Sequence, residues 1–354
     1  MSEHRRKHHH RHSRMHRIRR WLRHNKKYAV FVGLTAAAVI LCAAVVVRQA
    51  LITQKGRHIT AGNSVDMGSG YRHITYNGRN YQYNSLITTV LYAGVDSEGR
   101  LEAMGSYTDA PRADSINLVI LNKKDQKMTI VPINRDTMTE IRRYAANGKD
   151  RGTYTSHLGL AYAYGDGGKV SCESLREAVS TLFGGIPITE YVVTNRSSMP
   201  YINQLVGGVT VTVPNDDLAE EYPEFKKGAS VKLDDTNIET YLRKRDTEED
   251  FSNEGRMERQ RTYMSAYVKQ FKELLETDTS GTWNKIEKMD DYIQTSITKN
   301  KYIGLAKLLN TVDFDESNFY QLKGQDAQGE LHDEFYVDEA ALWESIIELF
   351  YEEV

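Results

Sequence analysis

Cysteine is nearly missing from this chain: 354 residues contain only Cys42 and Cys172. Cys42 falls inside a long apolar run and Cys172 stands alone beyond it, so the region after that run has no internal disulfide. Such a region has to be stabilised by its own hydrophobic core. Nucleophilic chemistry at Cys172 is disfavoured as well, because the residue opens a helical pattern with no sequence neighbour to activate a thiolate. Positive charge is also scarce over most of the length. Residues 1–27 hold eleven Lys and Arg against one acid, Glu3, so a chain of formal charge −2 leaves its remaining 327 residues at −12. An acidic body lacks the broad positive surface that nucleic-acid affinity requires, which argues against a nucleic-acid-binding body. The basic tail could touch nucleic acid, but its place beside the apolar run is better explained by a membrane. Internal repeats are absent, and no low-complexity break follows residue 70.

What the sequence does contain begins with Ala29 to Val47, nineteen uncharged residues rich in Ala, Val, Ile and Leu. That length suits a helix crossing a hydrocarbon core of ~30 Å. The basic flank precedes it, so the positive-inside rule keeps the tail cytoplasmic and sends the rest outside as a single-pass type II protein of the cell membrane. A cleaved signal peptide fits less well: its apolar region runs only ~7–15 residues, and Arg48-Gln-Ala-Leu-Ile-Thr53 offers no small-x-small cleavage site. The seven histidines of the tail are interspersed with arginines, as in a cationic segment lying on anionic membrane lipid. The expected organisation is a basic tail at 1–27, a transmembrane helix at 28–48, a linker at 49–70 and an extracellular domain at 71–354.

Within that domain Asn77-Gly78 separates two alternating runs, the strongest short-range hairpin signal. Apolar runs at 87–95, 116–121 and 128–133 read as strands, the last two joined by the polar turn 122–127. Ser171 is the expected cap of a helix whose Leu175, Ala178, Val179, Leu182 and Phe183 recur at helical spacing before Gly184-Gly185. Tyr191–Val193, Val209–Val213 and Phe335–Val337 read as further strands. An amphipathic helix is expected from about Glu254 to Leu275, and a last one near Glu339–Tyr351. Mixed strands and helices without a clean linker predict an α/β fold: one extracellular domain with a mixed central sheet flanked by helices, after one N-terminal transmembrane helix.

Charged residues sit at the ends of these strands. Asp96 ends the run 87–95, Arg112 and Asp114 precede 116–121, and Arg135 and Asp136 follow 128–133. In an antiparallel hairpin the residues before the first strand and after the second lie at one end, so Arg112, Asp114, Arg135 and Asp136 are expected to converge. Carboxylates beside guanidinium groups suggest a metal ion and a phosphate handled together. Taken singly, Asp96 also suits a turn beside Ser97 and Gly99, and Asp136 a helix cap before Thr137. A second basic cluster runs through Arg243, Arg245, Arg256, Arg259 and Arg261. Its last three members fall in the opening turns of the long helix, where the macrodipole disfavours cations but an anion can dock.

In order and approximate spacing, Gly94-Val-Asp96, Arg112-Ala-Asp114-Ser, Ile133-Asn-Arg-Asp-Thr137, Ala161-Tyr-Ala-Tyr-Gly165, Leu205-Val-Gly-Gly-Val209, Tyr241-Leu-Arg-Lys-Arg245 and Arg256-Met-Glu-Arg-Gln260 resemble the LytR-CpsA-Psr family of membrane-anchored cell-envelope enzymes. The resemblance implies a phosphotransferase that moves a glycan-1-phosphate from a polyprenyl-pyrophosphate-linked glycan to a peptidoglycan hydroxyl, attaching teichoic acid, capsule or another secondary wall polymer. It implies Mg²⁺, or Mn²⁺ in its place, on Asp96 and Asp114, with Asp96, Asp114 and Arg135 as catalytic residues. Arg112, Arg135, Arg243, Arg245, Arg256, Arg259 and Gln260 would bind the pyrophosphate, and Asp136 and Asp250 are further candidates. The residue types agree, since Mg²⁺ shares oxygen ligands between carboxylates and phosphates and guanidinium forks bind phosphate bidentately. Two departures stand out: Asn134 replaces the family's usual Pro, and Ser156–Leu160 lacks the usual Lys and Asn. The alternative is a non-catalytic regulator of wall assembly that binds the lipid-linked glycan without a metal.

Overall fold

The computed structural model describes residues 65–67, 70–107, 109–244, 253–329 and 332–354. The basic tail, the apolar span and most of the linker lie outside these residues, as do Arg245 and Asp250. Among the described residues no helix is long and apolar enough to cross a membrane.

Strands β1 (Val65–Asp66), β2 (His73–Tyr76) and β3 (Arg79–Tyr83) open the described chain as an antiparallel ribbon. Asn77 and Gly78 turn β2 into β3 with φ of 50° and 77°, the left-handed pair that a tight hairpin needs. Val65 pairs with Tyr76, so a strand forms inside the stretch expected to be linker. Next come β4 (Ile87–Val95), β5 (Ala113–Asn122) and β6 (Lys127–Ile133), each antiparallel to the next, with Asn122 opposite Lys127 and Ile116 opposite Ile133.

The strands β7 (Met138–Tyr144) and β8 (Asp150–His157) form a separate hairpin. No helix starts at Thr137, in contrast to the capping alternative for Asp136. Asn134 makes the turn instead: its Oδ1 accepts from Asp136 N at 3.0 Å and its carbonyl from Thr137 N at 3.0 Å. After the short α1 (Leu160–Ala163), α2 (Lys169–Leu182) starts two residues before the expected Ser171 cap. Asp166 Oδ1 accepts from Gly168 N and Ser171 N at 2.8 and 3.2 Å, and so takes over the capping. Cys172 is buried in the first turn of α2, and burial pushes its thiol pKa up, consistent with an inert packing residue.

The remaining elements are β9 (Glu190–Asn195), α3 (Met199–Leu205), β10 (Thr210–Thr212), β11 (Ser230–Lys232), α4 (Ile238–Arg243), α5 (Asn253–Glu287), β12 (Ile293–Thr295), α6 (Lys299–Thr311), β13 (Gly324–Gln328), β14 (Asp333–Val337), α7 (Glu339–Phe350) and β15 (Tyr351–Glu353). Helix α5 is broken at Asp278, whose φ of −152° and ψ of 70° are not helical. The central sheet has the order β12–β9–β4–β5–β6, with β4 and β9 parallel and the other neighbours antiparallel, so the sheet is mixed as expected.

Both faces of this sheet are apolar, but they are covered differently. Leu91, Ala93, Val95, Ile116 and Leu118 point into a core built with Leu175 and Val179 of α2 and Trp343 and Ile346 of α7. The alternate residues Val90 and Tyr92 face α5 and α6 and stay partly accessible, so β4 reads buried, intermediate, buried along its whole length. A strand apolar on both faces with one face incompletely covered marks an internal hollow on that side.

Candidate active site

Asp96 leaves the end of β4, and its backbone N donates to the carbonyl of Arg112 at 3.0 Å, which ties the exit of β4 to the entry of β5. Asp114 is the second residue of β5. Arg135 and Asp136 follow β6, so the hairpin brings Arg112, Asp114, Arg135 and Asp136 to the end opposite its turn. Gly159 knits these strand ends together: its N donates to Arg135 O at 2.8 Å and its O accepts from Ala113 N at 3.0 Å. A Cβ there would lie 2.7 Å from Ala113 O and 3.3 Å from Arg135 Cβ, so only glycine fits. The stretch Ser156–Leu160 therefore contributes backbone to the site, whatever side chains it lacks.

The guanidinium of Arg135 is paired with the Asp114 carboxylate, and its Nε lies 3.5 Å from Asp136 Oδ1. The Arg135 and Asp114 side chains are only 20% and 19% exposed. Burial pulls the pKa of Arg135 down, but Asp114, Asp136 and Asp96 outweigh it and hold it above its ordinary value. Arg256 is buried beside them, its Nη2 donating to the Asp114 carbonyl at 3.3 Å. Arg243 approaches from the end of α4, with Nη2 bonded to Asp96 Oδ1 at 2.6 Å and Nη1 to Glu239 Oε1 at 2.9 Å. Arg112 is exposed and makes no ion pair among the described residues. Asp96, Asp114, Arg135, Asp136, Arg243 and Arg256 thus gather around one cup.

The second basic cluster divides. Arg259 is wholly buried, with Nε donating to Tyr241 O at 2.9 Å, Nη1 to Asp217 Oδ2 at 2.8 Å and Nη2 to Lys244 O. Gln260 Nε2 donates to Leu242 O at 3.0 Å. These carbonyls lie at the C-terminal end of α4, where backbone acceptors lack helical partners. In this structure Arg259 and Gln260 therefore fasten α4 and with it Arg243, rather than presenting their donors to a ligand. Burial lowers the pKa of Arg259, with Asp217 opposing. Arg261 turns outward, its Nη2 on Glu316 O at 2.9 Å and its guanidinium over the Phe319 ring. His157 packs, with Nε2 3.1 Å from the Asp333 carbonyl.

Sequence reasoning missed Arg196, Glu98 and Glu239. Arg196 follows β9 just where Asp96 follows β4, and Val95 pairs with Asn195 across the parallel ladder. A strand run ending in Asn-Arg was the available signal, the same kind that singled out Asp96.

Behind the cup lies the hollow, an apolar cavity of about 310 Å³. The sheet supplies Val90, Tyr92, Val119 and Val192; the helices supply Met264, Tyr267, Phe271, Tyr302 and Leu309. No charged side chain lines this chamber, and burial raises the pKa of the Tyr92 and Tyr267 hydroxyls on its walls. A small cleft lined by Asp114, Ser115, Arg135, Gln260 and Met264 adjoins it, and Met264 is common to both walls. The Asp114–Arg135 cleft and the apolar chamber thus share one methionine wall.

The profile described as the LytR_cpsA_psr family matches residues 57–347. The chain belongs to this family. Among its relatives, Biofilm regulatory protein A of Streptococcus mutans is 28% identical over 249 residues, covering 67% of this chain and 56% of the relative. The polyisoprenyl-teichoic acid–peptidoglycan teichoic acid transferase TagU of Bacillus cereus is 29% identical over 221 residues, covering 62% of this chain and 63% of the relative. The chain thus spans less than two thirds of these curated relatives. Solved structures with the same fold include B. subtilis TagV, at 22% identity and TM-score 0.56, covering 75% of this chain and 96% of TagV. TagT bound to LIIa-WTA matches at 22% identity and TM-score 0.55, covering 75% of this chain and 90% of that one.

Proposed function

We propose that this protein is a phosphotransferase of the bacterial cell envelope, anchored through residues 28–48 with residues 71–354 outside the membrane. Its donor is a glycan carried on polyprenyl pyrophosphate, its acceptor a peptidoglycan hydroxyl, and the glycan a teichoic acid, capsule or related wall polymer. The observation that carries this is the pair of spaces that share Met264, a small cleft lined by Asp114 and Arg135 and an uncharged chamber of about 310 Å³. A diphosphate on a hydrocarbon chain is the kind of ligand that needs both. The TagU relative is named as a transferase of teichoic acid to peptidoglycan, and a TagT structure holds LIIa-WTA, in keeping with that class of donor and acceptor.

The roles follow from the residue types. Arg135, Arg243 and Arg256, with the exposed Arg112, neutralise the diphosphate oxygens, which stabilises a transition state that asks more for positioning than for a strong nucleophile. Asp96 or Asp114 takes the proton of the acceptor hydroxyl. The acceptor oxygen bonds to the phosphorus bearing the glycan as the bond from that phosphorus to the bridging oxygen breaks. Polyprenyl phosphate leaves with that electron pair, and its tail lies in the chamber. Asp96 and Asp114 also suit Mg²⁺, or Mn²⁺: both are hard oxygen donors at adjacent strand ends, and a two-carboxylate site leaves coordination to water and phosphate. Among the described residues no group of three or more His, Cys, Asp or Glu side chains is placed to hold a metal ion, so the protein would supply only these two carboxylates. When bound, the ion supplies further charge neutralisation at the diphosphate.

The test is transfer of a phosphoglycan from a lipid-pyrophosphate analogue to peptidoglycan fragments by the full chain in detergent. Asp114→Asn is expected to lower the rate by about 10²-fold or more, and EDTA to suppress it. Undiminished transfer under both conditions would sink the mechanism, whereas binding without transfer would favour the non-catalytic regulator.

A further inference from the structure

Arg196 stands at the edge of the cup with its whole guanidinium engaged. Its Nε donates to Glu239 Oε1 at 2.9 Å, its Nη2 lies 2.7 Å from both Glu98 Oε1 and Glu239 Oε1, and its Nη1 is 3.8 Å from Asp96 Oδ1. Two bonds to backbone carbonyls hold this arrangement in place: Arg196 N donates to Ser97 O at 3.0 Å, and the Asn195 side-chain Nδ2 to Gly99 O at 2.6 Å. Glu239 Oε1 also accepts from Arg243 Nη1 at 2.9 Å, so one carboxylate oxygen restrains both arginines that flank Asp96. Three carboxylates, Asp96, Glu98 and Glu239, thus surround two guanidinium groups, an excess of negative charge beside a site read as binding anions.

We propose that Arg196 is a further diphosphate-binding residue, and that Glu239 is the counter-ion that restrains Arg196 and Arg243 until the diphosphate arrives. This rests on the donor class proposed above. The Glu98 and Glu239 side chains are 66% and 47% exposed, so they return to water at little cost when their arginines turn away. A phosphate accepting the same donors gains charge-assisted, fork-shaped bonds in a less exposed place. Glu239 then lowers the energy of the empty site relative to the filled one by no more than a weak surface pair, and it keeps both forks aimed at Asp96.

The experiment is calorimetric titration of geranylgeranyl pyrophosphate into the full chain in detergent, in EDTA so that the guanidinium groups act without a metal. Arg196→Ala is expected to raise Kd by about tenfold or more, the loss of one charge-assisted contact, and Arg196→Lys to recover part of it. Glu239→Gln is expected to tighten binding by about threefold, because it keeps the shape and removes the competing charge. An Arg196→Ala protein that melts normally and binds within twofold of wild type overturns the assignment of Arg196. Should Arg196→Ala fail to fold, Arg196→Gln takes the same test with the same two outcomes. Unchanged or weaker binding by Glu239→Gln overturns the restraining role. If wild type binds the lipid pyrophosphate neither in EDTA nor with Mg²⁺, the donor class is wrong and the failure lies there.

Discussion

Two arginines that the sequence assigns to the same diphosphate site have opposite fates here. Arg135 keeps its partners at the mouth of the cup, two carboxylates that a phosphate or metal ion can relieve. Arg259 gives its donors to Asp217 and two carbonyls, sealed from solvent. Arg135→Lys is therefore expected to slow transfer by about tenfold or more while leaving the melting temperature nearly unchanged, since an ammonium keeps the charge but not the fork. Arg259→Ala should instead lower stability by about 2–4 kcal/mol in denaturant melts, less than a fully buried pair because Asp217 is partly exposed. A wild-type melt for that variant would show that α4 holds without it. The sequence could not separate the two cases. Arg256 and Arg259 lie one turn apart on α5, and what draws Arg259 inward is the unsatisfied C-terminal end of α4, which becomes its neighbour only in the fold.

At the level of elements, legibility followed sequence distance. The β2–β3 and β5–β6 hairpins could be read because turn residues and alternation sit within a dozen positions. The convergence of Asp114 with Arg135 follows from that pattern alone. Parallel pairing of β4 with β9 could not be read, because roughly a hundred residues intervene; Arg196 was lost with it. The chamber was hidden for another reason. Apolar positions on β4 and α5 predict packing equally well whether the facing surfaces meet or stand apart. Val119 lies on the wall contributed by β5. Val119→Phe is expected to weaken binding of long-chain pyrophosphates by about tenfold and leave inorganic pyrophosphate unaffected, with no loss of stability, because the ring grows into existing space. Equal losses for both ligands would separate the chamber from the head site.

Over the whole molecule, the ends of the described chain are joined in one sheet. Residues 351–353 form β15, which pairs with β3, so the ribbon β1–β2–β3 is completed by the last strand. Tyr351 is buried there and its hydroxyl donates to the Tyr71 carbonyl at 2.6 Å. Removing residues 351–354 should lower the melting temperature by about 3–10 °C, from one lost buried aromatic and one unpaired ribbon; a truncated chain that melts like the full one would show that this closure is not structural. The chamber has a different consequence for the molecule. Walls that face a void forgo dispersion contacts on that side, and a folded state holding such space has a larger partial volume than its unfolded chain in water. Hydrostatic compression therefore discriminates between the empty and the occupied protein, since the hydrocarbon guest supplies the missing interior.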